Sequence, residues 1–194
     1  MNILNCLTKE ELSKIKTIKI SKNSTLFYEE EKCDSIGIIE SGKVEISTFL
    51  SNGEKVIYNT LLPGEIFGSN LIFSTEPFYK GNVVTLTDSI IKIISEKDLK
   101  VLLKNNEKFL VNYLKFQSDF TKKLNSKIKL LSMDSAKDRM IFALENNKNN
   151  TIHFKTVNDL ADYLGLSREA TSRTITKLVN EGIITYKNKT ISKK

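Results

Sequence analysis

The hydrophobic pattern of this chain changes at Ser95, and that change constrains the fold more than any other feature. From Ile15 to about Ile94 the sequence consists of short runs rich in β-branched residues, such as SIGIIE and SIIKIIS, separated by turn residues. From Ser95 onward, a long stretch contains neither glycine nor proline. Short, regularly spaced strands predict an antiparallel barrel or sandwich, and the later stretch predicts helices. The chain is therefore expected to be α+β, with a β-rich N-terminal domain.

Turn residues indicate how the β-rich part reverses direction. Asn52-Gly53 lies between KVEISTFL and EKVIYN, and an Asn-Gly pair suits the positive φ angles of a type I′ hairpin turn. Gly42 and Gly64 mark further turns, the second of them directly after Pro63. These signals predict that consecutive strands are joined by reversals of the chain and not by crossover helices.

One long helix is predicted from Glu107 to Leu131, after a shorter helix that starts at Ser95 and before another from Ser135 to about Glu145. The long helix has more apolar surface than packing on one domain requires, which indicates a coiled-coil contact with a second copy of the chain. The alternative is a helix that packs only on the β-domain. The predicted dimer interface consists of apolar positions that recur every three or four residues: Phe109, Tyr113, Phe116, Phe120, Leu124 and Ile128.

The most specific motif is TVNDLADYLGLSREATSRTITKLVNEG, between Thr156 and Gly182. Thr156 and Asp159 have the spacing of a capping box at the start of a first helix. Gly165 permits a tight turn, and Ser167 caps a second helix that begins at Arg168. This order of helix, glycine turn and capped helix is typical of a helix-turn-helix. The expected buried face of the first helix is Val157, Leu160, Ala161 and Leu164.

The second helix of this motif has the properties of a DNA recognition helix. Its buried side is expected to be Ile175, Leu178 and Val179, which leaves polar residues outward at the end that enters the major groove. The run IITYKNKTIS predicts two short strands around Lys187-Asn188-Lys189, a β-wing whose cations can contact phosphate. The alternative is an ordinary helix pair with solvated arginines. The candidate DNA-contacting residues are Thr156, Ser167, Arg168, Glu169, Ser172, Arg173 and Lys189.

Composition narrows the class of protein. The formal net charge is +7, from 30 Lys and Arg against 23 Asp and Glu, which favours an anionic partner. No stretch approaches the ~20 apolar residues of a membrane span, and the start of the chain does not have the pattern of a signal peptide. Cys6 and Cys33 are too few for a disulfide framework or a four-thiolate cluster, and His153 is the single histidine. We therefore expect a cytoplasmic protein with no metal, cofactor or membrane partner.

These motifs resemble the Crp/Fnr family, that of the cyclic-AMP receptor protein and FNR, over nearly the whole chain. The resemblance implies a β-roll of the cyclic-nucleotide-binding type, a long dimerisation helix and a C-terminal winged helix-turn-helix. These parts correspond to residues 1–105, 106–133 and 134–194. The resemblance also implies a homodimer that binds double-stranded DNA, with RNA polymerase as a partner and a small-molecule effector in the β-roll.

The run LSREATSRTITKLVNEGII is similar to the family's recognition helix. Arg168, Glu169 and Arg173 match the Arg, Glu and Arg that read the TGTGA half-site in the receptor protein. Glu169, Ser172 and Arg173 match the FNR-type readers Glu, Ser and Arg, so the half-site stays open between the two patterns. Chemically, Arg173 can donate two hydrogen bonds to guanine O6 and N7, and Glu169 can accept one from a cytosine amino group.

The effector site departs from that of the cyclic-AMP receptor protein. Aligned from LPGEIFGSNLIF onward, the family's Gly-Glu ribose contact falls on Gly68-Ser69, and its Arg-Ser phosphate contact falls on Tyr79-Lys80. A ribose hydroxyl loses its carboxylate acceptor and a cyclic phosphate loses its guanidinium, although Lys80 offers a point charge. FNR's iron-sulfur cluster needs four cysteine ligands, and this chain has two. Cyclic AMP is therefore not the expected effector, and the candidate pocket residues are Gly68, Ser69, Asn70, Tyr79 and Lys80.

The predicted function is transcription regulation by a homodimer that binds an inverted repeat in DNA under the control of an unidentified effector. One alternative is a cyclic-nucleotide-type module that only senses a ligand or a partner protein, and the arginines of the second helix argue against it. Another alternative, a β-barrel enzyme, lacks any visible cluster of nucleophile, base or metal ligands.

Overall fold

The structure is a computed structural model that describes residues 3–194, so the first two residues of the predicted sensor domain lie outside it. The chain divides into two compact units, one ending at Ser118 and the other beginning at Asp119. The predicted α+β architecture is confirmed: a β-rich N-terminal domain, a long helix and a C-terminal helix-turn-helix domain. The three-part division at residues 105 and 133 stays a prediction.

The N-terminal unit begins with a 3-10 turn at Ile3–Cys6 and then consists mainly of strands. Its elements up to Ser95 are α1 (Lys9–Ser13), β1 (Lys16–Ile20), β2 (Thr25–Phe27), β3 (Ser35–Ser41), β4 (Val44–Phe49), β5 (Lys55–Leu61), β6 (Ile66–Phe67), β7 (Asn82–Thr85) and β8 (Ser89–Ser95). The strands described between residues 16 and 95 form two four-stranded antiparallel sheets, ordered β1-β8-β3-β6 and β2-β7-β4-β5.

One hydrophobic core joins the two sheets of this unit. Ile36 and Ile38 on β3 and Ile91 on β8 come from the first sheet, whereas Val44 on β4 and Val83 on β7 come from the second. All five side chains are fully buried. Burying an aliphatic side chain of this size contributes roughly 1.5–3 kcal/mol, so the β-branched runs recognised in the sequence supply most of the driving force for this unit.

The hairpin between β4 and β5 is present, but its turn differs from the prediction. The Leu50 N–H donates to the Glu54 carbonyl at 2.8 Å, and the Gly53 N–H donates to the Leu50 carbonyl at 2.9 Å. The loop therefore has three residues and ends on Gly53, whose φ is 81°. The Asn52 side-chain oxygen accepts a hydrogen bond from the Glu54 N–H at 2.9 Å, which favours this wider loop. The type I′ prediction at Asn52-Gly53 is wrong.

Two helices follow the last strand of the N-terminal unit. In α2 (Glu96–Asn105), the predicted cap Ser95 accepts a hydrogen bond from the Asp98 N–H at 3.1 Å. Helix α3 spans Glu107–Leu131, as the apolar periodicity predicts. Between them, Asn106 has an extended backbone and its side-chain oxygen accepts a hydrogen bond from the Phe109 N–H at 2.9 Å. Asn106 therefore starts α3, a role that periodicity alone did not indicate.

The C-terminal unit is a small helical domain with a three-stranded sheet. Its remaining elements are α4 (Ala136–Glu145), β9 (Thr151–His153), α5 (Val157–Leu164), α6 (Arg168–Asn180), β10 (Ile184–Lys187) and β11 (Thr190–Lys193). The sheet order is β10-β11-β9, so the predicted two-stranded wing has β9 as a third strand. Strand β9 has only three residues, too few for the alternating pattern of a strand to be recognised in the sequence. The core includes Met140, Leu144, Leu160, Leu164, Leu178, Ile184 and Ile191.

Several chemical roles find no support in the described part of the chain. Among residues 3–194, no helix has both the length and the apolar character to cross a membrane. In the same range, no three His, Cys, Asp or Glu side chains are grouped so that they could hold a metal ion. His153 lies on β9, and its Nδ1 is 2.8 Å from Thr190 Oγ1 on β11. The histidine therefore links two strands of the wing sheet.

Candidate nucleic-acid interface

Helix α5 begins with the capping box predicted from the sequence. The Thr156 hydroxyl accepts a hydrogen bond from the Asp159 N–H at 3.2 Å, and the Asp159 carboxylate accepts one from the Thr156 N–H at 2.8 Å. These two bonds satisfy backbone donors that the first turn of a helix leaves without a partner. Leu160, Ala161 and Leu164 are buried, so three of the four predicted core positions of this helix are confirmed.

The turn between α5 and α6 depends on Gly165. This residue has the left-handed conformation, with φ 63° and ψ 44°. The Leu166 N–H donates to the Ala161 carbonyl at 3.0 Å and the Gly165 N–H donates to the Asp162 carbonyl at 3.3 Å, the two bonds of a Schellman cap. A Cβ atom at Gly165 would lie 2.4 Å from the Leu131 side chain. Glycine is therefore required here by its conformation and by the end of α3.

Helix α6 starts at the predicted cap and buries a slightly different face from the one expected. The Ser167 hydroxyl accepts a hydrogen bond from the Ala170 N–H at 3.1 Å. Ile175 and Leu178 are buried as predicted, but Val179 is 40% exposed, so the prediction is wrong at that position. Buried threonines complete the inner face because their hydroxyls bond back to carbonyls of the preceding turn, Thr171 to Ser167 and Thr174 to Ala170.

The outward side of α6 brings together the predicted reading residues. Arg168, Glu169, Ser172 and Arg173 are all exposed on the first half of one helix. Within residues 3–194, no ion pair or hydrogen bond from the Arg168 or Arg173 guanidinium to another side chain is observed. Their donors are therefore free to bind an external partner.

A shallow depression of about 630 Å³ continues along the same helix. Its C-terminal end holds Glu181, whose carboxylate is 2.7 Å from Lys137 Nζ and 4.0 Å from Lys177 Nζ. The hydrogen bond from Lys137 lowers the pKa of Glu181, whose ionised carboxylate offsets one of the two lysine charges at this end. The other end holds Arg173 and keeps its positive charge. The depression is lined by Ser172, Arg173, Thr176, Lys177, Asn180 and Glu181.

The wing ends in a two-residue turn formed by Asn188 and Lys189. Lys187 pairs with Thr190 across the hairpin, and the two turn residues have φ angles of 49° and 56°. Positive φ at both positions is the property of a type I′ turn, the type expected instead at Asn52-Gly53. Lys189 is exposed at the tip, as its predicted role requires. Thr156 and Ser167 are exposed as well, although their hydroxyls already cap α5 and α6.

The predicted dimer interface needs a correction at the start of α3. Phe109 is 0% exposed and Tyr113 is 4% exposed, because both pack into the core of the β-domain. They have almost no surface left for a second copy of the chain, so their assignment to the interface is wrong. Phe116 is also packed partly against this core. The aromatic residues of the first half of α3 therefore attach the helix to its own domain.

The aliphatic residues of α3 form the exposed part of the stripe. Leu124 is 49% exposed and Ile128 is 58% exposed, and Phe120 is half-buried. Leu114 and Leu131, which the predicted interface lacked, are also exposed. Leu124, Ile128 and Leu131 are four and three residues apart, and Leu114 lies ten residues before Leu124, so all four fall on the two apolar positions of one heptad repeat, as a coiled-coil seam requires.

The effector-site positions in the β-domain are occupied by the chain itself. Ser69 is buried, and its carbonyl accepts hydrogen bonds from the Tyr113 hydroxyl at 2.9 Å and from Gln117 Nε2 at 2.7 Å. Burial raises the pKa of Tyr113 to about 12, which keeps its hydroxyl protonated as the donor. A Cβ atom at Gly68 would lie 2.8 Å from the Ser35 carbonyl oxygen. Side chains of α3 therefore hold the backbone where the resemblance places a ribose contact.

The phosphate position of the same site is filled by an aromatic ring. Tyr79 is 2% exposed and stacks on Phe27 with 4.8 Å between the ring centroids. Burial raises the pKa of Tyr79 and that of the neighbouring Cys33 thiol. The Tyr79 hydroxyl makes no hydrogen bond of ordinary geometry among the described residues, and the Cys33 thiol beside it, a weak hydrogen-bonding group, contributes to its raised pKa. A neutral, buried phenol offers no counter-charge for a phosphate.

The other two predicted pocket residues lie at the surface. Asn70 is exposed. Lys80 is exposed, and its Nζ is 3.7 Å from the Glu30 carboxylate. The Lys80 ammonium, predicted as a contact for an anionic ligand, thus already faces an acidic side chain. Of the five predicted pocket positions, Gly68, Ser69 and Tyr79 are buried together and two are not.

Known proteins are similar to both parts of the chain. Residues 17–106 match the family described as cyclic nucleotide-binding domain, and residues 130–193 match the Crp-like helix-turn-helix domain. An anaerobic regulatory protein from Bacillus subtilis (strain 168) is 25% identical over 176 residues, 86% of this chain and 74% of that protein. Regulatory protein HlyX from Actinobacillus pleuropneumoniae is 26% identical over 201 residues, 96% of this chain and 83% of that protein.

The fold also matches solved structures. The structure of a CooA mutant from Carboxydothermus hydrogenoformans superimposes with a TM-score of 0.76 and 17% identity. The match covers 100% of this chain and 91% of the CooA chain. At this level of identity the likeness shows a shared fold, with the same order of β-domain, long helix and helix-turn-helix.

Proposed function

The chain belongs to the Crp/Fnr group of DNA-binding transcription regulators, and we propose that it reads an inverted repeat through the first half of α6. Arg173 donates to guanine O6 and N7, Glu169 accepts from a cytosine amino group, and Arg168 and Ser172 complete the reading face. Lys189 at the wing tip, Thr156 and Ser167 contact the phosphate backbone. The protein acts in the cytoplasm, with RNA polymerase as its partner.

The observation that carries this proposal is the free donor capacity of the α6 face. Folding normally satisfies polar groups or leaves them dispersed on the surface. Here two guanidinium groups stand within two turns of a capped helix N-terminus, with no internal ion pair in the described chain. The helix N-terminus adds a partial positive charge that favours an approaching phosphate. A protein-sensing module would not need this arrangement.

Dimerisation through the exposed half of α3 completes the reading unit. One recognition helix contacts only a few base pairs, so two copies related by a two-fold axis are needed to specify an operator. The seam of Leu114, Leu124, Ile128 and Leu131 is the proposed contact, with Phe120 at its edge. In that arrangement the half-site centres lie one helical turn apart, ~34 Å.

Control by cyclic AMP is not part of this proposal. The buried Tyr79 ring lies at the phosphate position and the Ser69 backbone is bound by α3, so neither a guanidinium nor a carboxylate is offered to a cyclic nucleotide. The domain retains the fold of an effector-binding module. Any effector of this protein must therefore be recognised by contacts other than the ribose and phosphate contacts of the receptor protein.

Titration of the native protein against two duplexes tests the proposed function. One duplex carries a sequence selected from random DNA, and the other is a pool of random sequence. We expect the selected duplex to bind about 10³-fold tighter or more, the ordinary ratio for a sequence-specific regulator. Equal affinity for both duplexes at every salt concentration would show that the protein binds DNA only through its positive charge, or that it is a sensing module that does not read DNA sequence. Sedimentation in the same buffer reports whether the bound species is a dimer.

A further inference from the structure

Arg139 lies on α4, outside the helix-turn-helix motif, and its guanidinium contacts four backbone carbonyls. Nε donates to the Met133 oxygen at 3.0 Å, and Nη2 donates to the Leu131 oxygen at 3.0 Å. Nη1 donates to the Gly165 oxygen at 2.8 Å and to the Leu164 oxygen at 3.3 Å. Two of these acceptors lie at the end of α3 and two lie at the end of α5. One planar side chain thus joins the end of the long helix to the turn before the recognition helix.

Leu131 and Leu164 are the last residues of their helices, and Met133 and Gly165 follow them within two residues. The last four carbonyls of an α-helix have no intrahelical donor, and the C-terminal end carries a partial negative charge. A guanidinium group suits such a helix end, because its positive charge is attracted to the partial negative charge and its several coplanar donors can bind the unpaired carbonyls. Lys127 Nζ on α3 donates to the neighbouring Tyr163 carbonyl of α5, so a second cation binds the C-terminal end of the same helix.

Direct packing at the same place leaves little freedom. The Leu131 side chain approaches Gly165 so closely that a Cβ atom there would lie 2.4 Å from it. From Gly165, only Leu166 and the cap Ser167 separate the turn from the first residue of α6. A displacement of the Gly165 carbonyl relative to Leu131 is therefore transmitted to the start of the recognition helix within three residues.

We propose that Arg139 is a positioning residue for DNA reading: it sets the angle between the end of α3 and α6. The inference rests on the proposed function, because the angle matters only if α6 reads DNA in a dimer formed through α3. In such a dimer, this angle in each copy determines how far apart the two recognition helices lie. Arg139 therefore determines which spacing between half-sites the protein accepts, without touching the DNA.

The conservative substitution Arg139→Lys separates geometry from charge. Lysine keeps the positive charge, but its ammonium is a single point on a flexible stem and cannot bridge acceptors at the ends of both helices. A control, Ile184→Val, removes one methyl group from the core of the same unit, on β10, and leaves Arg139 and its four carbonyl acceptors unchanged. It reports what a simple loss of stability does to DNA binding.

Two measurements on the full-length dimer test the proposal. The first titrates each variant against operators with two base pairs added to or removed from the spacer, a rotation of about 70° between half-sites. The second follows hydrogen exchange of the Leu166 N–H, which is bonded to Ala161, against that of Ile191 in the wing. For Arg139→Lys we expect spacer discrimination to fall by about tenfold and Leu166 exchange to rise by about tenfold, with Ile191 unchanged.

The outcomes are distinct. Ile184→Val should lower affinity for all spacers alike and keep their ranking. Native spacer ranking together with native Leu166 exchange in Arg139→Lys would overturn the assignment. An equal rise of exchange at Leu166 and Ile191 would overturn it as well, because the residue would then only stabilise the domain. If the native protein itself ignored the spacer, the proposed function would be contradicted, while the exchange measurement would still decide the role of Arg139.

Discussion

Two regions lie where the resemblance to the Crp/Fnr group places binding sites, and they differ in where their polar groups lie: the outward face of the first half of α6, and the cassette of the β-domain, which is the buried set Gly68, Ser69 and Tyr79. On α6, the residues proposed to read DNA, Arg168, Glu169, Ser172 and Arg173, are exposed. In the cassette, Ser69 and Tyr79 replace the group's ligand contacts and are buried. The Ser69 carbonyl is bound by Tyr113 and Gln117 of the same chain.

A matching fold therefore does not by itself preserve a binding site. A side chain can recognise an external partner only while its donors and acceptors are free, and burial removes that capacity. The α6 face keeps it. The cassette lacks this capacity for recognition. At Ser69 the chain binds its own backbone carbonyl, and at Tyr79 a buried ring fills the position where the resemblance places a phosphate contact. Substitutions in and around the two regions test whether they differ in this way.

The largest effect is expected from charges placed on the exposed seam of α3. In the double variant Leu124→Glu and Ile128→Glu, both side chains are about half exposed in the single chain, so the fold should persist. Two separate monomers lose the advantage of a linked second half-site, about 10²-fold or more in affinity. Sedimentation and operator titration measure the two effects. Lys122→Glu, on the opposite side of the helix, should stay dimeric; a double variant that also stays dimeric would exclude this seam.

Arg173→Ala should have the next largest effect. Loss of a bidentate contact to guanine costs about 1–3 kcal/mol and relaxes selectivity at that base pair. Titration with the operator and with a duplex changed at the G·C pair measures both consequences. On random-sequence DNA the loss should be much smaller, because only one charge is removed. An equal loss on all three duplexes would assign Arg173 to the phosphate backbone.

Tyr79→Phe tests the buried region. Among residues 3–194 the Tyr79 hydroxyl makes no hydrogen bond of ordinary geometry and faces the Cys33 thiol, a weak partner, so its removal should change stability by less than about 1 kcal/mol. Urea unfolding measures the difference in free energy. A loss of several kcal/mol would show that the hydroxyl makes a strong hydrogen bond inside the protein, and the description of Tyr79 as a ring that only fills space would be wrong.

The wing lysine should contribute a smaller, sequence-independent effect. Lys189 has a positive φ, which asparagine tolerates better than alanine, so Lys189→Asn removes the charge with less strain in the turn. We expect weaker binding to all sequences alike and a slope of log affinity against log salt that is smaller by about one. Lys19→Asn, on β1 of the other unit, should leave the slope unchanged. An unchanged slope for Lys189→Asn would remove the wing tip from the interface.

Cyclic AMP is expected to have no effect at all. Calorimetry with the native protein should give no saturable heat at micromolar concentrations, because the cassette offers neither a guanidinium nor a carboxylate. Operator affinity should be the same with and without the nucleotide. Micromolar binding that also tightens DNA affinity would show that the ligand displaces Tyr79, and the contrast between the two regions would fail.

Sequence reasoning succeeded where local chemistry decides the structure. Thr156, Gly165 and Ser167 each act within five residues of the backbone, so the caps and the turn could be predicted. It failed where distant contacts decide. Phe109 and Tyr113 share the apolar period of α3 with Leu124, and only the β-domain packed against them determines which are buried. Periodicity reports that a face is apolar and does not report what covers it.

The error at the β4–β5 hairpin has a local cause, whereas Arg139 escaped the sequence analysis because of distant contacts. Asn52-Gly53 suits a two-residue turn, yet a side-chain bond to Glu54 widens the loop, and the type I′ turn forms at Asn188-Lys189 instead. Arg139 carries no motif at all. Its importance depends on four carbonyls that the ends of two separate helices, α3 and α5, bring together.

Selection from random DNA by the native protein and by Arg173→Ala, side by side, tests the central claim most directly. We predict that the native protein enriches an inverted repeat whose half-site centres lie ~34 Å apart, with a G·C pair in each half. The variant should enrich the same repeat with that base preference lost. If both proteins enriched the same sequence with the same affinity, or if the native protein enriched no repeat, α6 would not be the reader of DNA in this protein.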